Sequence, residues 1–197
     1  RQPQKSLLRP HAARAGPRGE NEVVRACMLP RLSTLATGHT GIRLETAEAY
    51  AAMLNAGLTP VGREYGRLGC SGDLAPLAHC ALAIMGEGEV DDDGVVRPAD
   101  EALASHGLAR IELAEKEGLS LINGTDGMLG MLVLALHDLR RLLETADLAA
   151  ALRIEGLPGT DRVLAADPPA LRPHPAQARG ARPPAALLAG PPPGAAA

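Results

Sequence analysis

The segment Gly69-Cys70-Ser71-Gly72-Asp73-Leu74-Ala75-Pro76-Leu77-Ala78-His79 carries the most chemistry of any stretch in the chain. A serine stands between a small residue and a glycine, at the end of a glycine-rich run (Gly57, Gly62, Gly66, Gly69, Gly72) that opens a helix. Three uses compete. Ser71 or Asp73 can cap the helix by accepting a backbone N–H, the commonest use of such residues at such a place. Ser71 can be a nucleophile, but the segment is not Gly-x-Ser-x-Gly and no strand leads into it. Finally, the backbone can cyclise: the Gly72 amide nitrogen attacks the Cys70 carbonyl and the adduct sheds water, and Ser71 then loses its hydroxyl as a second water. Glycine suits position 72 because it has no Cβ to obstruct that approach. The product is an electrophilic methylidene-imidazolone ring (MIO). Composition alone favours the cap.

Other reactive side chains have plainer uses. His79 falls one turn into the helix, where a satisfied histidine is commoner than a catalytic one. His39, His106, His137 and His174 are scattered, and none makes a His-x-x-x-His metal spacing. Cys27 and Cys80 fit helix faces as small apolar residues. The Asp91–Asp93 run reads as a solvated turn without the layout of a calcium loop. Met128 and Met131 read as core. The 62–72 loop has no Gly-Lys-Ser/Thr ending, so it is no phosphate cradle.

Helices must position these residues. Three prolines within residues 1–18 argue against one uninterrupted helix there. Apolar residues at helical spacing (Val23, Val24, Cys27, Met28, Leu32, Leu35) predict a helix from Glu20, kinked or broken at Pro30. A second runs from about Glu45 to Leu54, with Thr46, Ala49, Tyr50 and Met53 on one face. Residues 57–72 read as loop, and a third helix follows from Asp73 to Met85, with Pro76 in its first turn. The acidic turn Asp91-Asp92-Asp93-Gly94 predicts a small hairpin within 87–98, then a short helix over 99–104. The longest pattern runs from about Leu119 to Ile154, weakened at its start by Gly124, Gly127 and Gly130. A helix of that length belongs in a bundle or an oligomer. The fold class expected is mainly α, long antiparallel helices with one small hairpin. Residues 1–166 form the helical core. Residues 167–197, rich in proline and alanine, form an irregular tail, since 9 of the 17 prolines lie between Pro168 and Pro193.

Length and composition narrow the function. The 197 residues carry a net charge of −3, with 46% hydrophobic and 22% charged residues, as in ordinary globular domains. That charge disfavours a nucleic-acid partner. No run of 18 apolar residues predicts a membrane span. Three cysteines (Cys27, Cys70, Cys80) make no disulfide framework, and no signal peptide is evident, so a reducing, cytoplasmic setting is expected. With no Phe, no Trp and only two Tyr, the core must be built from Leu, Ala, Val and Met. The ends, without an initiator Met and with a Pro/Ala/Gly tail, suggest an incomplete chain.

Four blocks in order resemble the aromatic amino-acid ammonia-lyases. The 69–79 segment resembles that family's signature, in which an Ala-Ser-Gly triad makes the MIO group. Ser6-Leu7-Leu8-Arg9-Pro10-His11-Ala12-Ala13 is similar to its early substrate-pocket segment. Glu115-Lys116-Glu117-Gly118-Leu119-Ser120-Leu121-Ile122-Asn123-Gly124-Thr125 is similar to its Asn-Gly-Thr block, and Leu171-Arg172-Pro173-His174-Pro175-Ala176-Gln177 to a later one. The resemblance implies that Cys70, Ser71 and Gly72 form the MIO, with Cys70 in place of the usual alanine and its side chain outside the ring. It implies that Asn123 hydrogen-bonds near the MIO carbonyl or the substrate, and that Asp73 holds the loop during cyclisation. His11 matches the position where members acting on histidine carry histidine and those acting on phenylalanine carry an apolar residue. L-Histidine is therefore the expected substrate, trans-urocanate and ammonia the products, with a phenylalanine or tyrosine lyase as the alternative. No metal or nucleotide is implied. The family's active sites are assembled in a homotetramer. Its catalytic tyrosine maps before Arg1, and a second tyrosine and a carboxylate-binding arginine map beyond Ala197. A non-catalytic helical fragment is accordingly the other expectation for this chain by itself.

Overall fold

The computed structural model describes residues 2–13, 15–66, 74–157 and 159–189. In chain order these form α1 (Gln2–His11), β1 (Ala15–Arg18), α2 (Asn21–Ala36), α3 (Leu44–Asn55), β2 (Thr59–Pro60), β3 (Arg63–Tyr65) and α4 (Leu74–Ile84). There follow β4 (Glu89–Asp92), β5 (Val95–Pro98), α5 (Ala99–Ser105), α6 (Glu117–Ile122), α7 (Asp126–Gly156), a 3-10 turn (Asp161–Leu164), α8 (Asp167–Ala170) and α9 (Pro175–Leu188). The architecture is mainly α, as expected. Two compact units divide the chain, Arg1–Ala135 and Leu136–Ala197.

The first unit is organised around α4. Eight of its residues, Ala75, Leu77, Ala78 and Cys80–Ile84, are buried, and it packs against α1, α2, α3, α5 and α6. A helix apolar on every side has this fate in a soluble protein. Leu8, Met28, Tyr50, Met53, Leu121 and Ile122 close the same core, each at 0% exposure. Tyr50 is its one aromatic residue, and burial pushes its hydroxyl well above the usual tyrosine range.

The 87–98 hairpin forms as predicted. Asp93 (φ 52°) and Gly94 (φ 86°) both take the left-handed conformation that a two-residue hairpin turn demands. It is joined by β2, with Thr59 opposite Asp91 and Pro60 opposite Val90, while β1 and β3 pair separately, Ala15 opposite Tyr65. β2 and β3 fall in the stretch read as loop. Their two and three residues are too short to show alternation, and Pro60 is tolerated because β2 is an edge strand.

Three further expectations need correction. Helix α1 forms despite Pro3 and Pro10, because one lies in its first turn and the other beside its last residue. Pro30 does not break α2, which runs continuously from Asn21 to Ala36. Its missing N–H leaves the Ala26 carbonyl without the usual helical donor, and Gly130 of α7 lies against that place. A Cβ at Gly130 would stand 2.7 Å from the Ala26 carbonyl carbon and the Cys27 nitrogen. The long helix read from Leu119 is two helices, α6 and α7, separated by a non-helical turn at 123–125. That turn lies inside the Glu117–Gly156 stretch, which holds an 18-residue window of mean hydropathy 1.5, apolar enough for a membrane span by length and composition alone.

In the second unit α9 packs on the 3-10 turn and α8. The stretch from 167 is thus helical over Asp167–Ala170 and Pro175–Leu188. Pro175 starts α9 where a missing N–H costs nothing, and the alanines between the later prolines favour helix.

Candidate active site

The sequence-predicted residues sit at the ends of helices. His11 ends α1, Asn123 directly follows α6, and the described part of α4 runs from Leu74. Those three helices pack pairwise on one another, anchored by Leu8, Leu77, Ala78, Leu121 and Ile122 in one core. Cys70, Ser71, Gly72 and Asp73 lie outside the described residues.

His11 is half-buried, and its Nδ1 lies 2.6 Å from the Leu7 carbonyl oxygen. A carbonyl can only accept, so Nδ1 carries a proton. The imidazole is thereby oriented by its own helix, with Nδ1 turned to the Leu7 carbonyl.

Asn123 is held through its backbone. Its N–H donates to the Leu119 carbonyl at 3.0 Å, and its carbonyl accepts from Arg31 Nη1 at 2.8 Å. Its side chain is exposed. Arg31 comes from α2 and is only 3% exposed; its Nη1 also lies 3.3 Å from Asp126 Oδ2, at the start of α7. Burial raises the Asp126 carboxyl above its ordinary value, and the Arg31 charge opposes this only in part. Gly124 makes room: a Cβ there would overlap Asp126 Oδ2 and stand 2.6 Å from Arg31 Nη1.

The opposite end of α6 is anchored by Glu117, 1% exposed. Its carboxylate accepts from the Arg43 amide (2.9 Å), Arg43 Nε (3.1 Å) and Nη2 (3.0 Å), Thr46 Oγ1 (2.8 Å) and the Ala114 amide (2.7 Å). Burial pushes this acid up, but the donors outweigh it and hold Glu117 at about 2.

Sequence reasoning missed Arg31, Asp126 and Glu117. An arginine amid the apolar positions of α2 was the available signal for the first. The Asp91–Asp93 turn is less solvated than expected: Asp91 is 5% exposed, pairs with Arg18 and accepts from the Gly94 amide at 2.9 Å. Met128 and Met131, expected in the core, are 41% and 37% exposed, because that face of α7 has no cover among the described residues. Among those residues no cluster of three His, Cys, Asp or Glu is placed to hold a metal ion.

Comparison with known proteins extends the geometry. The sequence profile of the aromatic amino acid lyases matches residues 1–192. The chain belongs to this family. Histidine ammonia-lyase of Streptomyces griseus is 62% identical over 188 residues, covering 95% of this chain and 37% of that protein. Tyrosine ammonia-lyase of Cupriavidus metallidurans is 43% identical over 188 residues, covering 94% and 35%. Among solved lyases, the crystal structure of histidine ammonia-lyase from Trypanosoma cruzi has a TM-score of 0.87 at 38% identity, covering 93% of this chain and 36% of that one. The chain thus spans little more than a third of the length of the lyases it matches.

Proposed function

We propose that this chain is the MIO-bearing segment of a histidine ammonia-lyase. The complete protein removes the α-amino group and one β-hydrogen of L-histidine, giving trans-urocanate and ammonia. The observation that carries the proposal is the 62% identity to a histidine ammonia-lyase in a chain whose His11 ring is fixed by Leu7 at the end of α1.

Cys70, Ser71 and Gly72 suit the MIO group chemically: Ser71 has a hydroxyl to lose, and Gly72 has no Cβ to block ring closure. When formed, the group supplies an electrophile that turns a poor leaving group into a better one. Asp73 steadies the loop while it cyclises. Asn123 presents its amide to the MIO carbonyl or the substrate, and His11 Nε2 accepts from the substrate imidazole. The α7 side chains Leu132, Val133, Leu136, Leu139, Leu142 and Leu143, all 49–63% exposed, form apolar surface that the rest of the complete protein or a neighbouring subunit covers, and the complete protein assembles as a homotetramer in this proposal. The protein is cytoplasmic in this proposal, with no metal, nucleotide, nucleic-acid or membrane partner.

The test uses the complete protein. Its intact mass should fall two waters short of the encoded mass, with a near-UV band, and Ser71→Ala should abolish the band, the mass deficit and turnover. A full encoded mass in folded, complete protein overturns the proposal. The 43% identity to a tyrosine ammonia-lyase favours a second substrate class, tested by comparing rates on histidine, tyrosine and phenylalanine. His11→Leu should weaken the preference for histidine; an unmoved preference assigns selectivity elsewhere and overturns the role of His11.

A further inference from the structure

Arg31 is an expensive residue to bury for what it holds. It is 3% exposed, and its Nε has no hydrogen-bond partner among the described residues. Its Nη1 serves both the Asn123 carbonyl at 2.8 Å and the Asp126 carboxylate at 3.3 Å. Desolvation largely cancels the attraction of a buried ion pair, so such a pair contributes little net stability. What this one does is geometric. The carbonyl lies on the near side of the 123–125 turn and the carboxylate on the far side, so a single guanidinium clamps both flanks. Gly124 permits that approach, since any Cβ there would collide with the pair.

We propose that Arg31 is a positioning residue for Asn123. It grips residue 123 by its backbone oxygen and leaves the side-chain amide free to act. Asp126 neutralises the buried guanidinium and ties the turn to the first residue of α7. The inference rests on the role proposed above for Asn123, and its test separates the two.

The complete protein is prepared as Asn123→Ala, Arg31→Met, the double variant and Arg31→Lys. For each, kcat and KM on L-histidine are expressed per MIO-bearing subunit counted by intact mass, and amide hydrogen exchange is followed over residues 123–126. Asn123→Ala and Arg31→Met should each lower kcat by about tenfold or more, equivalent to about 1.4 kcal/mol of barrier, with KM altered much less. Arg31→Met should add no further loss once Asn123 is alanine, and it should speed exchange across the turn. Arg31→Lys keeps a charge beside Asp126 in case the methionine variant does not fold. Its ammonium lacks the planar fork, so kcat should fall between the native and methionine values. Losses that multiply in the double variant overturn the inference. So does a lysine variant with native kcat and native exchange, or a methionine variant with reduced thermal stability and native kcat. If Asn123→Ala leaves kcat and KM unchanged, the role of Asn123 fails instead, and the positioning inference falls with it.

Discussion

At its first residue α6 presents Glu117 to five donors; just beyond its last, Arg31 and Asp126 share one ion pair and one carbonyl. Both ends bury charge within the same unit. At the first, the acid is so well satisfied that it titrates at about 2. At the second, the acid is pushed up because a single cation opposes its burial. The difference teaches what each end is for. Saturated hydrogen bonding around a buried charge stabilises a fold, whereas the sparsely satisfied pair beside the 123–125 turn, in the proposal above, trades stability for placement.

The comparison breaks most readily at Glu117. Glu117→Ala strips the acceptor from two backbone amides and from Thr46 Oγ1, and should cost about 3–5 kcal/mol. Urea unfolding of the complete protein measures it, and kcat per folded subunit should hold at the native value. A loss under 1 kcal/mol by the same measurement, about what one ordinary hydrogen bond contributes, would put the two ends of α6 on a par.

Acid sharpens the contrast through opposite signs. Glu117 has a folded value below its ordinary 4.5, at about 2. Its stabilisation is complete above 4.5 and is lost as pH falls toward 2, about 3 kcal/mol in all. Asp126 has a folded value above its ordinary 3.8, so its contribution becomes more favourable as pH falls through the folded value toward 3.8. Stability measured against pH should therefore lose most of its acid-side fall in Glu117→Gln and steepen slightly in Asp126→Asn. The same slope in both variants would dismiss the distinction.

Gly124→Ala is the smaller perturbation. Relieving the overlap with Asp126 and Arg31 should cost about 1–3 kcal/mol, seen as a lower thermal midpoint, with a fall in kcat because the turn itself must move. An alanine variant with native kcat and native stability would show that the turn has slack.

Periodicity made the helices legible where burial repeats locally. Tyr50 and Met53 defined α3 to within a residue at each end, and Asp93-Gly94 announced the hairpin through its turn chemistry. The break at 123–125 was signalled only by Gly124, Gly127 and Gly130, which point to a later onset of the long helix, while apolar residues continue at helical spacing on both sides of it. Helix α1 stayed hidden because its prolines advertise disruption while occupying the positions that tolerate them. The site was legible only in part. Asn123 and His11 are site candidates by resemblance alone, and nothing local could have paired Arg31 with Asp126 or Arg43 with Glu117 across such separations in sequence. Only the folded core brings those charges together.

A main-chain oxygen is common to all amino acids, so the clamp on residue 123 is indifferent to what that residue carries. Arg31, Gly124 and Asp126 amount to a socket into which different side chains can be fitted while the mounting stays intact. Laboratory selection for new reactions could therefore randomise position 123 freely, provided those three neighbours are left alone.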